Sequence, residues 1–249
     1  MIKTALVTGA AKRIGRAIAF ALAREGYDIG VHYGQSHDDA FALVEQLQAM
    51  GVRASALQAD LSAVATVPDL ISKARDALGP LSVLVNNASV FADDRAKSLT
   101  VAGWQTHMDT NLLAPILLSQ AFAAQDDLPD GASIINMIDQ RVLKPSPPFF
   151  SYGLSKAGLW HATRTLAQAL APGIRVNAVG PGPTLKSVHQ SEADFAREAR
   201  STLLQKPTSP EEVAAAVIYL LNAPSVTGQM ICVDSGQHLG WKTVDMMDL

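Results

Sequence analysis

The strongest constraint on the fold is a repeated alternation. Short, continuous apolar runs are followed by longer stretches of helical spacing, almost from end to end. The runs are "TALVT" (4–8), "DIGVHY" (28–33), "RASALQ" (53–58), "LSVLVNN" (81–87), "SIINMI" (133–138), "IRVNAV" (174–179) and "QMICV" (229–233). They do not alternate apolar with polar, as a strand buried on both faces need not. Helical spacing covers roughly 14–25, 38–50, 67–78, 109–125, 152–171 and 210–222 between them. Such strands, joined by right-handed crossovers, make an α/β fold: a doubly wound parallel sheet of about seven strands with helices on both faces. Ligands of these sheets gather at the carboxyl ends of the strands. No short repeat, low-complexity tract or long linker interrupts the pattern, so residues 1–249 are expected to form one domain.

Composition narrows the function classes. With 48% apolar and 17% charged residues the chain can bury a large core. A formal net charge of -3 offers no broad basic field, so neither nucleic acid nor a membrane surface is an expected partner. The single cysteine, Cys232, lies in an apolar run and reads as a small buried hydrophobe. No internal disulfide is possible and no apolar run approaches a membrane span, so a soluble cytoplasmic protein is expected. No metal site is expected.

"VTGAAKRIGRAIA" joins the first strand to the first helix. Gly9 permits a tight turn, and Gly15 lets the helix begin close to the sheet, where exposed N–H groups would meet a pyrophosphate. Ile14 belongs to the same loop. Lys12 and Arg13 place two cations at a helix N-terminus, which is unfavourable unless an anion arrives. The second strand ends His32, Tyr33, with Ser36 just beyond, and shows no acid before Asp38. An acid there would hold a ribose 2′-hydroxyl and repel a 2′-phosphate. Arg13 with Ser36 could hold that phosphate instead, which points to NADP(H).

Tyr152 and Lys156 are four apart at the start of a helical run and so share a face. A nearby lysine cation is expected to favour the tyrosinate and lower the tyrosine pKa. Asn111 lies four residues before Pro115, which has no N–H to give its carbonyl; that carbonyl is then open to a water.

Together these motifs resemble the short-chain dehydrogenase/reductase family over almost the whole chain. The matching segments are "TGAAKRIG" (8–15), "ADL" (59–61), "NNAS" (86–89), Asn111, "YGLSK" (152–156), "RVNAVGPGPT" (175–184), "PEEVAAAVIYLL" (210–221) and "VTGQMICVDSG" (226–236). The resemblance implies a Rossmann-type domain with Asp60 and Leu61 by the adenine and Asn87, Ala88 and Ser89 behind the adenosine ribose. It also implies that Lys156 bonds the nicotinamide ribose, that Pro181, Gly182 and Thr184 meet the carboxamide, and that Asn111 holds a water linked to the lysine. A homotetramer is the family's expectation.

Three residues depart from the common family pattern: Arg13 in the phosphate loop, Ser89 after "NNA", and Asp139, in register with the usual catalytic serine. All three resemble the pteridine reductase branch, as does Phe91, in register with that branch's pterin-stacking ring. Gln35 stands where the branch has a basic residue. An ionised carboxylate beside Tyr152 opposes the lysine and suits a ketone poorly, whereas a pterin offers N–H donors to bind and ring nitrogens to protonate. Arg13, Ser89, Phe91, Asp139 and Tyr152 are the expected substrate contacts, with Asp139, Tyr152, Lys156 and Asn111 as the catalytic set. Residues 185–205 are the expected substrate lid. Reduction of a carbonyl or 3-oxoacyl group is the competing activity, and a non-catalytic NADPH sensor the competing role.

Overall fold

The computed structural model describes residues 2–187 and 190–241. Its strands are β1 (Thr4–Val7), β2 (Asp28–Tyr33), β3 (Ala54–Gln58), β4 (Val83–Asn86), β5 (Ala132–Met137), β6 (Ile174–Pro181) and β7 (Met230–Val233). All pair in parallel, in the order β3-β2-β1-β4-β5-β6-β7. The order reverses between β1 and β4, and a crevice opens there at the carboxyl ends.

The helices are α1 (Arg13–Arg24), α2 (His37–Ala49), α3 (Asp69–Leu78), α4 (Val101–Met108), α5 (Ala114–Ala123), α6 (Phe150–Leu170), α7 (Glu192–Arg200) and α8 (Pro210–Leu221). Every residue of β1, β4 and β5 is buried, which explains their unbroken apolar runs. Successive side chains point to opposite faces. Ala5, Val7, Val83 and Val85 pack under α1, α2 and α8, while Leu6, Leu84 and Ile134 pack under α3, α5 and α6. Phe122 of α5 is wholly buried in the second layer, and cutting it to alanine would cost about 3–5 kcal/mol.

Three features differ from the sequence expectation. Helix α4 was not anticipated: its only buried residue is His107, so it has no apolar stripe to read. Residues Asp109–Leu113 form a π turn, in which the Ala114 N–H bonds the Asp109 carbonyl five residues back. The i+4 donor missing at Pro115 is thus accommodated by one extra residue in the turn. Part of the expected lid is helical, because Ser191 and Asp194 form a reciprocal capping box that starts α7. Cys232 is half-buried on the edge strand, and burial pushes its thiol up to about 11. No helix among the described residues is long and apolar enough to cross a membrane.

Candidate active site

A cleft of about 1260 Å³ lies along the carboxyl ends of β1, β4, β5 and β6. It exceeds the roughly 300–1,000 Å³ of a single small-molecule site. Gly9, Lys12, Arg13, Ile14, Gly15, His32, Asp60, Leu61, Asn87, Ala88, Ser89, Phe91, Asp139, Tyr152, Lys156, Pro181, Gly182 and Thr184 all line it.

The phosphate end is built from backbone. Gly9 adopts a left-handed φ of +61°. A Cβ on Gly15 would stand 2.2 Å from the Gly9 carbonyl oxygen and 2.6 Å from Asn87 Nδ2, so only glycine fits. Asn87 donates to the carbonyls of Thr8 and Gly9, tying the loop to β4. His32 braces it from below: its Nδ1 accepts from the Gly9 N–H at 3.0 Å, and its Nε2 lies 3.2 Å from the Ala59 carbonyl. That arrangement puts the ring proton on Nε2, and burial pushes the pKa down to about 4. Lys12 makes no side-chain cap on α1, so the first N–H groups of that helix remain for an anion. These residues fit a pyrophosphate.

The neighbouring positions are less uniform. Lys12 pairs with Asp39 at 2.8 Å. Arg13, also at a left-handed φ (+54°), reaches across the cleft and donates to the carbonyls of Leu185 and Lys186. Asp60 faces the cleft and is turned by two bonds from Ser62. Tyr33 and Ser36 correct the expectation. Tyr33 points into the core under α2, because adjacent strand residues face opposite ways, and Ser36 lies off the cleft, where Gly34 and Gln35 take its place. Thr184 Oγ1 bonds the Gly182 carbonyl at 3.0 Å, and Gly182 passes so near Asp234 that a Cβ would meet it at 2.6 Å.

At the other end, Tyr152 Oη donates to Asp139 Oδ2 at 2.9 Å. Asp139 Oδ1 accepts from the Arg141 N–H at 2.8 Å, so the carboxylate also caps the short 3-10 turn Gln140–Val142. Lys156 Nζ donates to the Met137 carbonyl at 2.8 Å and stands 5.8 Å from the Tyr152 ring centroid. Burial lowers the Lys156 pKa to about 8. Burial also raises the Asp139 carboxyl, against the opposing pull of Arg141. Tyr152 is pushed well above its ordinary value, first by burial and then by Asp139. The expectation that Lys156 lowers this tyrosine is therefore corrected: burial and the adjacent carboxylate outweigh a cation held on the Met137 carbonyl.

Asn111 does not line the cleft. It is fully buried, accepts from the Val90 N–H and the Ser89 hydroxyl, and donates to the Val90 carbonyl and to Ser155 Oγ. Ser155 in turn donates to the Tyr152 carbonyl. The side chain thus fixes the loop that carries Ser89 and Phe91 to the helix that carries Tyr152.

Phe91 stacks on Phe149, with ring centroids 4.1 Å apart and planes 16° from parallel, and meets Tyr152 edge-on at 4.7 Å. No ring can enter between them, so a flat ligand stacks on an outer face or displaces Phe149. Phe149 holds a left-handed φ of +58°, a conformation that a bulky residue adopts only under constraint. The Arg141 guanidinium sits over both rings, 5.9 and 5.3 Å from their centroids.

Residues outside the sequence reading complete the site. Asp94 accepts from both the N–H and the hydroxyl of Ser151, immediately before Tyr152. His107 Nδ1 lies 2.6 Å from that hydroxyl, and its Nε2 accepts from the Ala92 N–H. A carboxylate distant in sequence thus caps α6 at its N-terminus. Nothing local marked Asp94 as a cap, since its partner is 57 residues away. Arg141 had one available signal: it lies two residues after Asp139.

Comparison with known proteins agrees with this geometry. A family model described as "Enoyl-(Acyl carrier protein) reductase" matches residues 9–238. The crystal structure of FolM Alternative dihydrofolate reductase 1 from Brucella suis in complex with NADP is 44% identical, with a TM-score of 0.94, covering 99% of this chain and 100% of that one. Its Brucella canis counterpart, complexed with NADP, is 43% identical, with a TM-score of 0.93, covering 98% of this chain and 97% of that one. The 3-oxoacyl-[acyl-carrier-protein] reductase FabG of Staphylococcus epidermidis is 34% identical over 96% of this chain and 100% of its own length. Sequence motifs, sheet order, cleft and relatives converge: the chain belongs to the short-chain dehydrogenase/reductase family.

Proposed function

We propose that the protein is an NADPH-dependent reductase of a pterin-type substrate, of the dihydropteridine, dihydromonapterin or dihydrofolate class. The observation that carries this reading is the 2.9 Å hydrogen bond from Tyr152 to Asp139, beside the Phe91 ring. A carboxylate at this point would face a ketone oxygen acceptor to acceptor, whereas ring N–H groups can donate to it. The structures of the FolM relatives with NADP support the cofactor. Gly9, Gly15, the α1 N-terminus and Asn87 would hold it along the cleft, with Lys156 at its nicotinamide end. When bound, NADPH supplies the hydride. Because burial and Asp139 raise its pKa, Tyr152 keeps its proton at neutral pH and serves as an acid. Asp139 orients that hydroxyl and binds the ring. Residues 185–205, of which 188 and 189 lie outside the described residues, would serve as the lid over this end, and four copies would make the working assembly.

The FabG relatives favour a second reading, reduction of a 3-oxoacyl group. NADPH oxidation with 7,8-dihydrobiopterin or 7,8-dihydrofolate, set against an acetoacetyl thioester, separates the two. Faster turnover of a pterin is expected. A chain that reduces the thioester and no pterin would overturn the proposal.

A further inference from the structure

Beyond Asp139 the cleft is walled by the lid helix, and α7 turns Glu198 inward, on the same face as Phe195. Glu198 is held in place: Oε2 accepts from Gln190 Nε2 at 2.6 Å and Oε1 from Gln237 Nε2 at 3.0 Å. Its side chain is 24% exposed. The nearest cation, Arg141, stands 4.0 Å from Glu198 and 3.9 Å from Asp139, and is stacked over Phe91 and Phe149. One guanidinium thus sits between two carboxylates, and Lys156, the other cation acting on Asp139, is turned to the Met137 carbonyl. The other arginine of the cleft wall, Arg13, is committed to two lid carbonyls. Gln140, 5% exposed and lining the same cleft, has its Oε1 buried without a partner among the described residues. Because that oxygen is covered, Glu198 is the anionic group that the lid segment presents to the cleft among the described residues.

We propose that Glu198 sets selectivity among pterins by the charge of their tail. It accepts from a neutral, hydroxyl-bearing tail and repels a tail that ends in a carboxylate. This rests on the pterin reading and adds to it the class of side chain the substrate carries.

The test compares kcat/KM for 7,8-dihydrobiopterin, with a neutral tail, and 7,8-dihydrofolate, with an anionic one. The wild-type chain should prefer the neutral tail. Glu198→Gln should move the ratio toward dihydrofolate about tenfold, the effect of one charge acting over about 10 Å at an effective dielectric near 20. The change should appear in KM, and rising salt should shrink the wild-type preference. Calorimetry of folate and biopterin binding to the NADP-loaded chain should shift in parallel. Gln237→Ala keeps the charge and loosens its support; a shift as large as that of Glu198→Gln would mean that lid order is being read, and would overturn the proposal. So would an unchanged ratio in Glu198→Gln, or a wild-type preference for dihydrofolate, while the pterin reading survived either result. Absence of turnover with both pterins would remove both readings.

Discussion

Acid should unfasten the phosphate loop through His32. In the folded chain burial holds this imidazole at about 4 against an ordinary 6.5. Between those values the unfolded chain binds a proton that the folded chain refuses, so stability falls as pH falls through that window. At pH 5 the two values imply a loss of about 2 kcal/mol relative to neutral pH. Protonation would also place an N–H on Nδ1, facing the Gly9 N–H that it now accepts. NADPH affinity should therefore decline together with stability. His32→Asn keeps an acceptor near the Nδ1 position and removes the titration. Urea denaturation of both chains at pH 7.5 and 5 should show the variant's pH dependence flatter by about 2 kcal/mol. Calorimetric NADPH titrations should show the same difference in slope. Parallel pH profiles in wild type and variant would refute the assignment of His32 as the brace.

Three further outcomes are expected. Gly15→Ala should cost about 1–3 kcal/mol in urea denaturation and remove measurable NADPH binding, since its Cβ would meet the Gly9 carbonyl oxygen at 2.2 Å. Asp139→Ser should cut pterin turnover about a hundredfold, the scale of a group acting in proton transfer. It should also move the alkaline limb of the rate profile to lower pH, because the carboxylate that helps to raise the Tyr152 pKa is gone. Asp94→Ala should cost about 1–2 kcal/mol, the scale of a lost helix cap, with a fall in kcat because Ser151 precedes Tyr152.

The sheet was legible because both of its faces are buried, which leaves continuous apolar runs at β1, β4 and β5. The glycines were legible because their steric demand is local. What escaped reading is what folding brings together from afar. Arg13 carries a cation suited to phosphate, yet its partners are carbonyls 172 and 173 residues away. Tyr33 follows His32 directly, but the two point to opposite faces, so only one can brace the loop. Helix α4 buries a histidine in place of an apolar stripe, and periodicity has nothing to detect there. Phe149 has two roles that no local pattern separates. The structure shows it doing both, lining the cleft and starting α6.

The π turn at Asp109–Leu113 carries one residue more than the α turn it replaces. That surplus makes the chain length here a functional quantity in its own right. Deleting Leu112 would make the Asp109 carbonyl and the Ala114 N–H an ordinary i+4 pair, leaving the flanking helices in register and moving the side chains inside the turn. Asn111 would rotate away from Val90 and Ser155, and the Phe91 loop would lose its tether to the tyrosine helix. Shortening the helix by one residue should therefore be more damaging than most replacements of its side chains.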